Sequence, residues 1–195
     1  MSLGQVLHLL LAAVLLLQRV QSANFDIILD ERGLLSDCSP EDDAGNLRMH
    51  EFLDISRLST EFDEDLETMY FNGDVIVRRD LAALQEPVKL QLAVYRRQRS
   101  AWQPTLVSIK RDDFCKSMHN PFEFWYIYIA TRLTAAEREC PPKLGHVYQL
   151  RNISNRMYIG NIPDFDIDGD LKCVVHFTQG PYKTCMSIYL TVYKH

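Results

Sequence analysis

The sequence predicts an all-β protein, an immunoglobulin-like antiparallel β-sandwich that carries one helical segment. Apolar and polar side chains alternate with a period of two along several short segments, which is typical of strands with one buried face. Turn residues separate these segments, and short strands joined by turns are typical of a sandwich. The length of 195 residues suits one such domain.

Four segments show the clearest alternation, and each presents one row of apolar side chains. These rows are Val88, Leu90, Leu92 and Val94; Met69, Phe71, Val75 and Val77; Leu171, Cys173, Val175 and Phe177; and Met186, Ile188, Leu190 and Val192. Gly73 interrupts the second row, which predicts a bulge or a close backbone approach there. Further strands are predicted at residues 25–29, 52–58, 105–110 and 146–152.

One segment breaks the strand pattern and predicts a helix from Asn120 to about residue 133. Asn120 is a favourable N-cap, Pro121 suits the first helical position, and Glu123 can close a capping box. The helix would be apolar on two faces, whereas a surface helix has one polar face. Either one face borders an apolar space, or the helix is buried in an ordinary core.

The amino-terminal residues predict a secretory signal peptide, residues 1–22. An apolar run at residues 7–17 is too short to span a bilayer, and Val20, Gln21 and Ser22 suit a cleavage site after Ser22. A signal anchor is the alternative. Cleavage would leave residues 23–195 as one domain, secreted and extracellular.

Composition and motifs argue against two functional classes. The net charge of −5 predicts that nucleic acid is not a partner, because nucleic-acid affinity comes from neutralising phosphates with cations. The sequence contains no GxSxG, HExxH, Walker or GxGxxG motif. We therefore predict no enzyme activity, no catalytic residue and no cofactor.

The stretch PDFDIDGDL, residues 163–171, resembles the start of a calcium loop because four aspartates occupy alternate positions. Counted from Asp164, Gly169 falls on the glycine position of an EF-hand loop. The position of the bidentate glutamate, however, is Val175, on the apolar row of a predicted strand. We therefore predict a polar turn and no metal site.

The basic run at residues 96–99, followed by Trp102, lies between two predicted strands. The simpler interpretation is a solvated hairpin tip. The alternative is contact with anionic lipid headgroups, where each cation contributes about 1 kcal/mol.

The five cysteines predict two disulfides and one spare thiol in an oxidising compartment, and the residues alone leave the pairing open. No CxxC pair occurs, so the spacing does not match a zinc site. Asn152 begins the one N-glycosylation sequon, Asn152-Ile153-Ser154, which is either used or left unmodified.

The segment CPPKLGHVY, residues 140–148, resembles a strand-opening segment of the ganglioside activator protein and its relatives, the ML lipid-recognition superfamily. Cys38 resembles the first cysteine of that family, Cys115 the cysteine before its cavity-mouth segment, and Cys185 its late hairpin cysteine. The resemblance covers residues 36–193. It looks closest to the insect branch that includes the Che-type A and B contact-chemosensory proteins.

The resemblance implies a cup-shaped sandwich with an apolar cavity for lipid tails and the helical segment at the cavity mouth. It implies the disulfides Cys38–Cys185 and Cys115–Cys140. Cys173 has no counterpart and lies on an apolar row, so it is read as a buried, inert thiol rather than an intermolecular bridge.

The predicted function is a non-catalytic carrier of a long-chain lipid, fatty acid derivative, cuticular hydrocarbon or pheromone in insect chemosensation. The alternatives are a glycolipid-presenting activator of a hydrolase and an innate-immune co-receptor. The predicted partners are an apolar small molecule and a membrane surface or receptor ectodomain, with the protein a monomer. The predicted cavity lining is Phe71, Leu90, Leu92, Phe122, Trp125, Tyr148, Leu171, Val175, Phe177 and Leu190.

Overall fold

The computed structural model describes residue 5 and residues 22–30, 35–43, 45–64 and 66–195. The predicted signal peptide, residues 1–22, lies outside this part of the chain except for Gln5 and Ser22. In chain order, the elements are β1 (Ser22–Leu29), β2 (Ser36–Asp37), α1 (Met49–Phe52), β3 (Leu53–Phe62), β4 (Met69–Val77), β5 (Lys89–Gln98), β6 (Ala101–Arg111), α2 (Phe114–Met118), α3 (Phe124–Tyr128), β7 (Val147–Ser154), β8 (Arg156–Pro163), β9 (Gly169–Gln179) and β10 (Tyr182–Lys194).

Two antiparallel sheets pack as a sandwich, which confirms the predicted fold class. The large sheet has the strand order β6-β5-β9-β10-β1-β8, and β2 pairs with β10 beside β1. The small sheet has the order β3-β4-β7. The four predicted apolar rows belong to β4, β5, β9 and β10, and most of their members are buried.

The bulge predicted at Gly73 is present. The register of β4 against β7 shifts between Phe71 and Gly73, and the φ angle of Gly73 is +119°. Any side chain at this position would collide with the backbone carbonyl of Arg57 on β3. Only glycine fits such a close approach of two strands without strain.

The predicted long helix is wrong in its bounds, because the helical segment starts later and is broken. The helix α3 covers only Phe124–Tyr128, and a separate 3₁₀ turn follows at Ala130–Arg132. The backbone of Glu123 is extended, and its carboxylate binds Arg111 at 2.8 and 3.0 Å instead of capping Asn120. A second 3₁₀ turn, Ala136–Arg138, precedes β7.

One end of the inner face of the large sheet is filled by its own side chains. We call this cluster the filled half, and it consists of Ala23, Phe25, Val94, Leu171, Cys173 and Val192, all buried. Val107 of β6, Ile162 of β8 and Ile167 of the β8–β9 loop pack against it. All of these residues come from the large sheet or from that loop.

The outer face of the same sheet is covered by the loop that follows β2. The Cys38–Cys185 disulfide fastens this loop to β10, and Asp42 binds the buried Lys172 of β9 at 2.8 Å. Burial alone would raise the pKa of Asp42, but hydrogen bonds from Lys172 and Ser39 hold it below its usual value. The cover explains why β9 is buried continuously from Leu171 to Val175.

Candidate ligand cavity

A cavity of about 380 Å³ lies between the two sheets and the helical segment. The lining side chains are nearly all apolar. They are Leu29, Leu35, Met49, Phe52, Leu53, Phe71, Val75, Leu81, Val88, Phe114, Met118, Phe124, Tyr128, Ile129, Leu133, Cys140, Pro142, Tyr148, Leu150, Ile153, Ser154, Met157, Phe177, Thr178, Gln179, Tyr182, Thr184, Met186 and Ile188.

The large sheet supplies one wall of the cavity by continuing the rows that begin in the filled half. On β9, Leu171 and Cys173 belong to the filled half, whereas Phe177 and Gln179 line the cavity. These side chains share one face because strand residues alternate between faces. The row on β10 also passes from the filled half, at Val192, to the cavity.

The small sheet supplies the opposite wall through β4 and β7. Phe71 and Val75 of β4 are buried and line the cavity. Tyr148 of β7 pairs with Val75, and its hydroxyl donates to the backbone carbonyl of Glu139 at 2.8 Å. Burial, assisted by the negative charge of Glu139, raises the pKa of Tyr148 above its usual value, so this phenol stays protonated.

The helical segment covers the cavity and is attached at both edges of the large sheet. At the β6 edge, Arg111 binds Glu123 and lies over the ring of Trp125, 5.7 Å from its centroid. At the β8 edge, the Tyr128 hydroxyl donates to the carbonyl of Tyr158 and accepts from its N–H. These contacts position Phe124, Tyr128 and Ile129 at the cavity.

A disulfide and an ion pair hold the end of the helical segment. Cys115 is bonded to Cys140, 25 residues later, which agrees with the pairing implied by the resemblance. Glu137 of the second 3₁₀ turn binds Arg151 of β7 at 2.8 and 3.1 Å. The hydrogen bond from Arg151 lowers the pKa of Glu137 to about 2. The cover is therefore tied to both sheets.

Several hydroxyl groups along the cavity bond to the protein itself. Tyr128 and Tyr148 donate to backbone carbonyls, and Thr184 donates to the carbonyl of Leu47 at 2.9 Å. With these groups engaged, apolar surface dominates what the wall presents to an occupant. Such a cavity binds an aliphatic chain through the hydrophobic effect.

A groove lies on the surface beside the Cys115–Cys140 disulfide. Its volume is about 770 Å³, and it is lined by Ala82, Leu84, Gln85, Glu86, Pro87, Val88, Asp113, Cys115, Lys116, His119, Cys140 and Pro141. Val88 and Cys140 line both this groove and the cavity. They therefore form part of the wall between the two spaces.

Three of the ten residues predicted to line a cavity do so, namely Phe71, Tyr148 and Phe177. Leu90, Trp125 and Val175 instead belong to a buried cluster that adjoins the cavity and includes the lining residue Met118. The Trp125 indole N–H donates to the Ser117 hydroxyl at 3.0 Å, and its ring meets Phe114 edge-on. Trp125 therefore packs against Phe114, which lines the cavity, but does not line the cavity itself.

The other four predicted lining residues also lie outside the cavity wall. Leu171 belongs to the filled half, and Leu190 and Leu92 pack against it. Phe122 is 91% exposed because it lies in the turn before α3 rather than on a helical face. The period-two rows identified the correct face of each strand but did not show where along the strand the packed core ends.

The four aspartates of the 163–171 stretch bind three residues elsewhere in the chain. Asp164 binds Lys194, Asp166 binds Arg96, Asp168 accepts the Lys194 backbone N–H, and Asp170 accepts the Thr191 hydroxyl. Among the described residues, no group of three or more His, Cys, Asp or Glu side chains is arranged to hold a metal. Residues 164–168 of the stretch form the polar loop between β8 and β9, and Asp170 lies in β9.

The remaining predicted positions have clear places in the fold. The basic run forms the β5–β6 hairpin, where Arg97 and Arg99 are exposed and Arg96 pairs with Asp166. Asn152 is exposed on β7, and glycosylation there remains a prediction. Cys173 is a buried free thiol, and its burial raises its pKa to about 12.

Many cavity residues that the sequence does not predict come from connections between elements. Leu81, Leu133 and Pro142 line the cavity from loops or their junctions, where no periodic pattern marks an inward side chain. Gln179 could have been found, because it is the next position of the β9 row after Phe177. A polar residue on an inner row is a recognisable signal.

Comparison of the chain with models of known protein families finds no match, and comparison with curated proteins finds none either. Membership of the ganglioside-activator family therefore stays a prediction that rests on the cysteine order and the segment at residues 140–148. Within the described residues, no helix is long and apolar enough to cross a membrane.

Proposed function

We propose that this protein is a secreted, non-catalytic carrier that binds one long-chain lipid, hydrocarbon or pheromone. The observation that carries the proposal is the apolar cavity of about 380 Å³ between the sheets. This volume falls near the lower end of the range for ligand sites, about 300–1,000 Å³. It favours one aliphatic chain as the occupant.

The affinity would come from removing the chain from water. Each buried methylene contributes about 0.8 kcal/mol, so affinity should increase with chain length until the cavity is full. The aromatic and aliphatic walls impose no hydrogen-bonding geometry on most of the chain. A carrier of this kind distinguishes ligands mainly by their length and shape.

Secretion is supported by the two disulfides, which are typical of oxidising compartments, and by the predicted signal peptide. The resemblance to contact-chemosensory proteins supports a role in presenting a cuticular hydrocarbon or pheromone to a receptor ectodomain. A membrane surface is a further partner that this resemblance supports.

The direct test is native mass spectrometry of the secreted protein, followed by displacement of the fluorescent probe N-phenylnaphthylamine. We expect co-purified aliphatic molecules or probe fluorescence that long-chain ligands abolish. A protein that carries no ligand and does not bind the probe would overturn the proposal.

A pair of substitutions at the two ends of the inner face localises the binding. Val75→Phe places a ring in the cavity and should weaken probe binding at least tenfold. Val94→Phe, in the filled half, should leave probe affinity unchanged and cost about 1–3 kcal/mol of stability through overpacking. Equal probe binding by both folded variants would place the ligand elsewhere.

A further inference from the structure

The inner row of β9 ends in a polar residue within the cavity wall. Leu171, Cys173, Val175 and Phe177 occupy the preceding positions of this row, and Gln179 follows them. Gln179 is only 3% exposed and lines the apolar cavity. Glutamine is seldom fully buried unless its polar atoms are bonded, so each of those atoms needs a partner.

The amide nitrogen of Gln179 has two partners. Its Nε2 donates to the backbone carbonyls of Leu81, at 3.0 Å, and Glu86, at 2.8 Å. Two carbonyl acceptors also fix the identity of the amide atoms, because exchanging Nε2 and Oε1 would direct an oxygen at two oxygens. The amide is therefore held to the connection between β4 and β5.

The amide oxygen is left without a partner. Gln179 Oε1 is buried, and no described residue donates a hydrogen bond to it. A buried acceptor without a donor is costly, and a group that supplies the donor recovers that cost. The only other buried, unpaired side-chain atom in the described part of the chain is Asp43 Oδ1, in the loop outside the large sheet.

We propose that Gln179 Oε1, which is covered in this structure, becomes uncovered when a ligand enters the cavity and accepts a hydrogen bond from that ligand. The preferred ligand is then a long aliphatic chain with a hydroxyl or an N–H group at one end, such as a fatty alcohol or a fatty amide. This inference rests on the proposed carrier function. It adds that the cavity distinguishes ligands by their ability to donate, in addition to their chain length.

The contacts of Gln179 also orient the ligand. Its two carbonyl partners are in the β4–β5 connection, and Val88, where that connection ends, also lines the groove beside the Cys115–Cys140 disulfide. The donor end of the ligand therefore lies at this wall, and the apolar remainder of the cavity takes the chain. An ionised fatty acid is disfavoured, because a carboxylate has no proton to donate.

Three ligands with equal numbers of non-hydrogen atoms test the inference, namely tridecanol, dodecyl methyl ether and tetradecane. The alcohol donates and accepts, the ether only accepts, and the alkane does neither. We expect the alcohol to bind the wild-type protein about tenfold more tightly than the ether. Displacement of N-phenylnaphthylamine measures both dissociation constants. Equal affinities for alcohol and ether would overturn the inference and leave the carrier function standing.

The substitution Gln179→Met keeps the length of the side chain and removes the acceptor. It should bind the ether and the alkane normally and lose the preference for the alcohol. Gln91→Met, the same change at an exposed position of β5, should keep that preference. A folded Gln179→Met variant that still prefers the alcohol would contradict the inference.

A spectroscopic measurement on the wild-type protein gives an answer even if Gln179→Met fails to fold. The NMR chemical shift of the side-chain carbonyl carbon of Gln179 should change when tridecanol binds. It should not change when the ether binds. If none of the three ligands binds, the carrier function itself fails and this inference falls with it.

Discussion

The two ends of the large sheet's inner face are built from similar residues and have opposite interiors. At one end, Phe25 and Val192 belong to a closed cluster made by the large sheet and the β8–β9 loop. At the other end, Phe177 of β9 and Met186 of β10 face a cavity. Composition along the strands does not distinguish the two ends.

The difference lies in what faces each end. Ile162 of β8 and Ile167 of the β8–β9 loop pack directly against the filled half. The cavity is covered by the small sheet and by a helical segment that is attached at several fixed points, among them the Cys115–Cys140 disulfide. We infer that a hollow persists because its cover is held by its own anchors, so the cover does not collapse inward.

The largest expected contrast comes from removing one phenylalanine ring at each end. Phe25 and Phe71 are equally buried, at 0% and 2% exposure, but only Phe71 lines the cavity. Phe25→Ala should cost about 4 kcal/mol, and Phe71→Ala about half as much, because a ring beside a void has fewer contacts to lose. Urea unfolding of both variants measures this. Equal losses would mean that the cavity is filled in solution.

Thiol labelling gives a contrast in accessibility with little change in stability. Cys173, in the filled half, should resist iodoacetamide at about pH 8, because its pKa is about 12 and it is buried. A cysteine introduced by Leu150→Cys, on the same row of β7 as Tyr148 and in the cavity wall, should react, and a bound ligand should slow that reaction. Mass spectrometry counts the labelled sites. Rapid labelling of Cys173 in the folded wild-type protein would show that the filled half opens.

The smallest expected effect is the response of the cavity cover to acid. The pKa of Glu137 is lowered from 4.5 to about 2 in the folded protein, so its ion pair with Arg151 stabilises the cover above about pH 4.5. That contribution is lost as the pH falls towards 2. Hydrogen exchange should therefore increase first around the Ala136–Arg138 turn, before the filled half.

The matched variant for this titration is Arg151→Gln. It should return the pKa of Glu137 towards its usual value, which an NMR titration of the Glu137 carboxyl carbon follows. An unchanged pKa would show that the pair with Arg151 is not formed in solution.

The fold was predictable because period-two rows identify strands that bury one face. β4, β5, β9 and β10 follow their rows closely, and the glycine bulge at Gly73 has a local steric cause. The strand β8 was missed because its apolar alternation breaks at Gly160 and Asn161, where the register against β1 shifts. The helix was misjudged because Arg111, distant in sequence, takes the carboxylate of Glu123.

The cavity was only partly predictable, since a void depends on how three separate covers meet. Local patterns place Phe177 on an inner face, but they do not show whether an opposing side chain reaches it. Trp125 illustrates the limit, because its aromatic character indicated a lining residue while Ser117 and Arg111 hold it behind Phe114. The positions of loop residues such as Pro142 depend entirely on tertiary structure.

The contact between Tyr128 and Tyr158 has a consequence for self-association. β8 is an edge strand, and an unpaired strand edge is a template on which another chain can add. One phenolic oxygen bonds both the N–H and the carbonyl of Tyr158, as a residue of a neighbouring strand would. The helical segment that covers the cavity thus also occupies part of the β8 edge and prevents a strand of another chain from pairing there. Movement of this segment away from the cavity would therefore expose an edge at which chains can aggregate.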